Sequence, residues 1–176
     1  KLPLASESVS SLIKKDKINL ILHPKSKGSA VEWGLENFNS LIKILPANKY
    51  QVFISGTEED KNNIGNSLDL SGENITSLLG KLSLQEFISF ISLSDGLVAA
   101  STGPLHISAA MGKVALGLYS PRRPIHPGRW KPIGPRAIAL VHDEKCVKCS
   151  IGDSCNCIQE ISPERVLEVL DKAFEG

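Results

Sequence analysis

The chain alternates short apolar runs with longer amphipathic stretches. Six of the runs are rich in strand-forming residues, at 18–23, 50–56, 75–80, 95–100, 114–120 and 137–142. Several of them, such as "DGLVAA" and "VALGLYS", are largely apolar instead of alternating with polar residues. Continuous apolar character is typical of strands that are covered on both faces, as in parallel sheets. The pattern therefore predicts six buried strands.

Two of the intervening stretches repeat apolar residues at helical spacing, "EWGLENFNSLIKIL" and "LSLQEFISFISLSD". The C-terminal stretch "ISPERVLEVLDKAF" predicts a closing helix, with Ser162 as its N-cap and Pro163 at its first position. The order of strands and helices predicts an α/β fold, a doubly wound, Rossmann-like parallel sheet. In such sheets we expect ligands in the crevice beyond the carboxyl ends of the strands.

Composition sets bounds on size and partners. The 176 residues are 41% hydrophobic and 22% charged, which fits one globular domain with a sizeable core. A formal charge of +1 gives no overall attraction to nucleic acid, so we expect no nucleic-acid partner. No apolar run approaches the ~18 residues of a membrane span, and "KLPLASESVS" lacks the apolar core of a secretory signal, which predicts a cytoplasmic location. The missing initiator methionine indicates a processed product, an excised domain or part of a longer chain.

The turn "ASTGPLHISAAMG" (100–112) combines hydroxyls, a glycine, a proline and a histidine between two predicted strands. The proline suits the first position of a short helix, which makes the glycine before it the cap. Backbone amides at a free helix N-terminus favour an anion, and the hydroxyls can add hydrogen bonds. The turn therefore predicts a phosphate site made of Ser101, Thr102, Gly103, Pro104, Leu105 and His106. The alternative is a plain helix cap followed by a surface histidine.

The extended stretch "AASTGPLHISAAMGKVALGLYSP" resembles the signature of glycosyltransferase family 9, the lipopolysaccharide heptosyltransferases. Three more stretches are similar to this family in the expected order: "HPKSKGSAVEWGLENFNSLIKIL", "LLGKLSLQEFISFISLSDGLVAA" and "CIQEISPERVLEVL". The resemblance implies a GT-B enzyme with two Rossmann-like domains. Residues 1–176 would be its C-terminal, donor-binding domain, and the N-terminal acceptor domain would be absent. Within the chain it implies an interdomain linker or helix at 1–17, a cysteine-rich loop at 143–160 and a closing helix at 161–176.

The function implied by the resemblance is transfer of a heptose-like sugar from an ADP-sugar to a lipopolysaccharide-type, lipid-linked saccharide acceptor, in the cytoplasm or peripherally at the inner membrane. The resemblance also implies that transfer requires no cofactor. The general base of the family lies in the N-terminal domain, so the isolated chain is expected to be inactive. Two alternatives stay open: another GT-B nucleotide-sugar enzyme, such as an epimerase, and a non-enzymatic, zinc-stiffened binding module.

By resemblance, the diphosphate falls on the turn at Ser101, Thr102, Gly103 and His106. Many members have Asp where this chain has Ser101, which leaves the sugar open. The basic residue that the family places before Trp33 is missing, so either Lys25 or Lys27 is the candidate for neutralising leaving-group charge. For the ribose the candidates are Glu58 and Glu59, and for the adenine Leu82.

Each of these assignments has an alternative without function. Ser29 and Glu32 match the S-x-x-E capping box, which alone would account for part of the first loop. The two lysines can be ordinary solvated charges. Acidic residues such as Glu58 and Glu59 also suit the first turn of any helix.

The segment "SPRRPIHPGRWKPIGP" contains a local basic patch, for which Arg122, Arg123 and Arg129 are the candidates. In the family reading this loop overlooks the cleft, where its charges would meet donor phosphate or an anionic saccharide lipid. The alternative is a proline-stiffened surface loop with scattered charge.

Four cysteines follow the pattern C-x2-C-x5-C-x-C, namely Cys146, Cys149, Cys155 and Cys157. Four thiols so close together can hold a structural zinc ion, although the second pair is spaced more tightly than usual zinc ligands. Reduced cysteines without a metal and disulfides are the alternatives, and disulfides are disfavoured in a reducing compartment.

Overall fold

A computed structural model describes residues 7–64, 67–151 and 155–175, without the side chains of Ser8 and Ser150. The first six residues of the predicted linker, part of the cysteine-rich loop at 152–154 and the last residue of the closing helix lie outside this range. The strands are β1 Ile18–His23, β2 Tyr50–Ile54, β3 Ile75–Ser77, β4 Gly96–Ala99, β5 Val114–Tyr119 and β6 Ala137–Val141. The helices are α1 Glu7–Ser10, α2 Leu35–Ile44, α3 Glu58–Ile64, α4 Leu84–Leu93, α5 Gly103–Ala110, α6 Pro127–Trp130, α7 Val147–Ser150 and α8 Pro163–Glu175.

The six strands form one sheet in the order β3-β2-β1-β4-β5-β6, and every neighbouring pair is parallel. Chain connections run outward from β1 to one edge and from β4 to the other. The strand order therefore reverses between β1 and β4, where Leu20 pairs with Gly96. This doubly wound sheet confirms the predicted fold class, and the reversal marks the crevice in which such folds bind ligands.

Two apolar layers cover the two faces of the sheet. On one face α2 packs against α8, around buried residues that include Phe38 and Leu170. On the other face α4 packs against α1 and α5, around residues that include Phe90 and Leu105. Burial on both sides explains why the strands read as continuous apolar runs. In the described residues, no helix is both long and apolar enough to cross a membrane.

The N-cap of α8 is the one that the sequence predicted, whereas those of α2 and α5 are not. Ser162 caps α8, accepting a hydrogen bond from the amide of Arg165 at 3.2 Å, which confirms that prediction. The predicted capping box at Ser29 is wrong, because α2 begins six residues later, after Gly34 at a φ of 98°. The cap of α5 is also one residue earlier than predicted, since Thr102 occupies the N-cap and Gly103 is already helical.

Candidate functional site

A cavity of about 340 Å³ lies at the carboxyl ends of the central strands, over the point where the strand order reverses. Its walls come from the segments that follow β1, β2, β3 and β4. One side is polar and includes Lys25, Thr102 and Gly103, whereas the other is apolar and includes Leu82 and Phe87. We call this the first cavity. Its two-sided lining suits an elongated ligand with one charged part and one flat apolar part.

A second cavity of about 210 Å³ adjoins the first on the far side of α5's N-terminus. Ser29, Thr102 and Gly103 line both cavities. The remaining lining of the second cavity is Ser101, His106, Ile125 and Trp130. The N-terminus of α5 therefore borders both cavities.

Thr102 is the N-cap of α5 but its side chain does not cap the helix. The residue is only 6% exposed, and its hydroxyl is buried without a hydrogen-bond partner among the described residues. Because an unpaired buried hydroxyl is costly, native proteins keep few of them. Thr102 lines both cavities, so a rotation of its side chain would bring this hydroxyl to a ligand bound there.

Gly103 is exposed, and a Cβ added to it would meet no protein atom within 4 Å. Its backbone is therefore open to the two cavities. The amide of His106 already donates to the carbonyl of Thr102 at 3.4 Å, so it is committed to the helix. The first-turn amides of Gly103 and Leu105 are the ones that a helix leaves without an internal acceptor. The side chain of Leu105 is fully buried in the core, which limits its role at the site to its backbone.

The loop after β1 is organised by the carboxylate of Glu32. This carboxylate accepts hydrogen bonds from the amide of Ser26 at 2.8 Å and from its hydroxyl at 3.2 Å, and it pairs with the ammonium group of Lys25 at 2.5 Å. Lys25 is thus held at the wall of the first cavity with about a quarter of its side chain exposed. The hydroxyl of Ser29 lies 2.7 Å from the carbonyl of Ser26 and 3.2 Å from that of Ser101, which joins this loop to the loop after β4.

Lys27 also lines the first cavity, but it is more loosely held. Its side chain is 56% exposed and its nearest anionic partner is Glu59, at 3.6 Å. Glu58 pairs with Lys61 at 3.0 Å. Neither glutamate lines the first cavity, whereas the next residue, Asp60, does. Glu58 and Glu59 were the sequence candidates for the ribose, but the carboxylate of this segment that lines the first cavity is Asp60.

Asp60 is 4% exposed and forms a capping box with Thr57 at the start of α3. Its carboxylate accepts from the amide and the hydroxyl of Thr57, at 2.7 and 2.8 Å. In return its own amide donates to that hydroxyl at 3.3 Å. These bonds fix the carboxylate at the cavity wall.

His23 is a cavity residue that the sequence analysis did not single out. It ends β1, its Nδ1 lies 2.9 Å from the hydroxyl of Ser55, and its ring stacks on Phe87 with centroids 6.0 Å apart. Burial lowers the pKa of His23 from its ordinary value, although the nearby carboxylate of Asp60 acts in the opposite direction. The ring is therefore neutral at neutral pH. Its place at the carboxyl end of a central parallel strand is the signal that could have found it.

The apolar end of the first cavity contains Leu82, as the sequence suggested, together with Leu78, Leu84 and Phe87. Leu84 is 71% exposed although it is a large apolar residue. Side chains of this kind at a cavity mouth are typical of sites that take a flat apolar group. The sequence placed Phe87 on a helix but gave it no function.

The basic loop after β5 borders the second cavity through Ile125 and Trp130 instead of through its arginines. Arg122 is half-buried, and Arg123 and Arg129 are exposed. None of the three lines either cavity. The guanidinium of Arg129 lies over the ring of Trp130, 5.5 Å from its centroid. A role for these arginines in binding phosphate or acceptor stays a prediction.

The four cysteines come together as the sequence pattern suggested. Their sulfur atoms all lie within 4.8 Å of one another, with Cys155 3.5 Å from Cys146 and 3.0 Å from Cys157. Four sulfurs around a tetrahedral zinc ion would be about 3.8 Å apart, given Zn–S bonds of about 2.3 Å. Cys149 and Cys157 are buried, and none of the four is bonded to another in a disulfide. The arrangement fits a closed thiolate site.

Burial acts on the thiols of this cluster. It raises the pKa of Cys149 to about 11 and also raises the pKa of Cys157. At Cys146 a hydrogen bond from Cys157 lowers the pKa to about 7.

Comparison with known proteins assigns the chain to a family. The family model for glycosyltransferase family 9 (heptosyltransferase) matches residues 3–158, so the chain belongs to this family. The resemblance on which the sequence analysis drew is thereby confirmed. A curated relative, lipooligosaccharide heptosyltransferase 2 of Campylobacter jejuni, is 23% identical over 170 residues, which make up 92% of this chain and 53% of that protein. The chain spans a third to a half of the length of the curated relatives that it matches.

Solved structures agree on the fold. The ADP-heptose lipopolysaccharide heptosyltransferase II of E. coli superposes with a TM-score of 0.72 at 22% identity, over 98% of this chain and 53% of its own. The E. coli heptosyltransferase WaaC with ADP superposes with a TM-score of 0.68 at 15% identity, over 94% of this chain and 47% of its own. The iron-containing dodecameric glycosyltransferase TibC of E. coli superposes with a TM-score of 0.59 at 14% identity, over 90% of this chain and 46% of its own. This chain thus has the fold of about half of a GT-B heptosyltransferase.

Proposed function

We propose that this chain is the C-terminal, donor-binding domain of a family 9 glycosyltransferase and that its first cavity binds an ADP-sugar. The observation that carries the proposal is the buried, unpartnered hydroxyl of Thr102 beside the open backbone of Gly103. Both lie at the N-terminus of an eight-residue helix, where backbone amides favour an anion. A diphosphate supplies the acceptor oxygens that this hydroxyl and these amides require.

The rest of the first cavity suits the remainder of the nucleotide. The adenine would occupy the apolar end at Leu82 and Phe87. The ribose would lie nearer to Asp60, the carboxylate that reaches the wall. Family membership supports ADP as the nucleotide, since one structural neighbour is described as acting on ADP-heptose and another contains ADP.

In the proposed reaction the acceptor hydroxyl displaces the nucleotide at the anomeric carbon, and negative charge grows on the departing diphosphate. This domain stabilises that charge with donors that are already in place, which is an effective form of electrostatic catalysis. We assign the cationic role to Lys25 instead of Lys27. Glu32 holds the Lys25 ammonium at the wall, whereas Lys27 is mostly exposed.

The acceptor in this proposal is a lipopolysaccharide-type, lipid-linked saccharide, and the general base that activates its hydroxyl belongs to the N-terminal domain. Relatives nearly twice as long as the matched region support this division. The isolated chain is then expected to bind donor nucleotide without transferring sugar. Glycosyl transfer by the purified 176-residue chain would contradict the division.

Calorimetry with ADP and adenosine tests the binding proposal. We expect ADP to bind more tightly than adenosine, because adenosine leaves the anion site empty. Gly103→Val places a side chain where the protein itself has no atom, so it should weaken ADP far more than adenosine. Ala110→Val, at the exposed far end of the same helix, is the matched control. Equal affinity of the wild type for the two ligands would refute the proposal.

We further propose that the cysteine cluster holds a structural metal ion, with zinc as the candidate. The cluster geometry and its four thiols support this. An iron-containing glycosyltransferase with the same fold makes iron the competing metal. Elemental analysis should find about one zinc ion per chain, and a chelator should lower the melting temperature. Stoichiometric iron would overturn the choice of zinc, and metal-free protein with four titrating thiols would overturn the site.

A further inference from the structure

The second cavity has a lining of a different kind from the first. Its polar groups are the hydroxyl residues Ser29, Ser101 and Thr102, and its apolar wall includes Trp130. Among the described lining residues there is no carboxylate, lysine or arginine, and His106 is the one titratable group. A lining of hydroxyl-bearing residues and one aromatic residue suits an uncharged ligand that carries many hydroxyls and also an apolar face.

The position of the second cavity restricts what it can hold. It meets the first cavity at Thr102 and Gly103, where the proposed diphosphate lies. The nucleoside extends from the diphosphate toward Leu82 and Phe87. The group on the other end of the diphosphate is therefore directed into the second cavity, and in a nucleotide-sugar that group is the sugar.

Trp130 is held in place by a chain of contacts from the diphosphate loop. The hydroxyl of Tyr119 donates to the carbonyl of Trp130 at 2.6 Å and also contacts the side chain of Ser101. The Tyr119 ring is buried over Gly117, where an added Cβ would come within 2.5 Å of it. Ser101 is thus engaged with Tyr119, and as a serine it brings no negative charge to the second cavity.

We propose that Trp130 is a specificity-determining residue that recognises an uncharged hexose or heptose of the donor in the second cavity, and that Tyr119 is the positioning residue that holds it there. The proposal rests on the proposed function of the first cavity. Sugar rings present a face of C–H groups that packs favourably on an aromatic side chain. Trp130 then adds affinity for the complete donor and none for the nucleotide alone.

The test compares ADP with ADP-glucose and ADP-heptose by calorimetry on the 176-residue chain. In the wild type at least one ADP-sugar should bind about tenfold more tightly than ADP, the gain expected when an aromatic wall contacts an added ring. Trp130→Ala should abolish this difference, and Trp130→Phe should keep most of it. Tyr119→Phe should reduce the difference without abolishing it. Ile133→Ala is the control, since Ile133 is 85% exposed on the same loop but lies outside both cavities.

Fluorescence gives a readout that a merely structural role would not change. The chain has two tryptophans, and Trp33 is fully buried while Trp130 is 43% exposed. The ADP-sugar that gains affinity should change the emission more than ADP does, and Trp130→Phe should remove that extra change.

The possible results separate this proposal from the one on which it rests. No binding of ADP would refute the proposed function and this inference together. Binding of ADP without added affinity for either ADP-sugar would refute the inference alone. The inference also fails if the added affinity survives in Trp130→Ala, or if that variant weakens ADP as much as the ADP-sugars.

Discussion

Replacing Thr102 by Val should raise the stability of the free protein and weaken its binding of ADP. Valine has nearly the shape of threonine but no hydroxyl, so it removes the buried group that lacks a partner. Leaving such a group unsatisfied costs about 1–3 kcal/mol, and at 6% exposure water offsets little of this cost. We therefore expect the free energy of unfolding to rise by up to about 1–2 kcal/mol.

The loss in binding follows from the same hydroxyl. A hydrogen bond to a charged group contributes about 1.5–3 kcal/mol, which corresponds to roughly 10- to 150-fold weaker ADP binding in the variant. Adenosine should be unaffected, because it has no phosphate. Urea unfolding and calorimetry measure the two effects.

Ser108→Ala is a matched control for this prediction. Ser108 lies on the same helix, is fully buried and also has a hydroxyl without a partner among the described residues, but it lines neither cavity. It should share the gain in stability and leave ADP affinity unchanged. If Thr102→Val destabilises the protein and binds ADP as the wild type does, the hydroxyl serves the fold and the reasoning is wrong.

Two further predictions concern the walls of the first cavity. Glu32→Ala leaves the amide of the buried Ser26 without an acceptor and should lower the free energy of unfolding by about 1–3 kcal/mol. Glu32→Gln keeps an acceptor for this amide and loses only the partly exposed ion pair with Lys25, so it should cost about 1 kcal/mol or less. Equal losses in urea unfolding would show that the carboxylate does not organise the loop. His23 has a lowered pKa in the folded state, so its contribution to stability is complete above the unfolded value of 6.5 and is lost as the pH falls below it. The free energy of unfolding should therefore decrease less steeply below that pH in His23→Gln than in the wild type, and parallel curves would contradict the assigned burial.

The sheet could be predicted from the sequence because its strands are covered on both faces. All six predicted strands exist, and their starts differ from the prediction by at most one residue at β4. Their ends are less well predicted. After β3, for example, the apolar run continues as a loop in which Leu78 and Leu79 are buried outside any strand. Burial fixes the apolar pattern, but it does not distinguish a strand from a packed loop.

Residues that line the first cavity were singled out from the sequence where one local segment carries them, and missed where several segments converge. Thr102 and Gly103 carry a recognisable turn, so their sequence suffices. His23 and Asp60 lie far apart in sequence and meet only through the order of β1 and β2, which no single stretch encodes. Glu32 shows the opposite error, because its spacing from Ser29 fits a helix cap while its carboxylate actually turns back to Ser26. A local sequence pattern does not show which backbone amide a carboxylate will bind when the loop folds back on itself.

The indole of Trp33 donates a hydrogen bond to the carbonyl of Ile161 at 2.8 Å, in the core beside the loop that carries Lys25. The two residues are 128 positions apart, so this anchor joins the loop to a segment that is synthesised much later. During synthesis every residue that lines the two cavities is already present before Ile161 is added. The loop that carries Lys25 therefore gains this anchor only after all of the residues that line the two cavities have been synthesised.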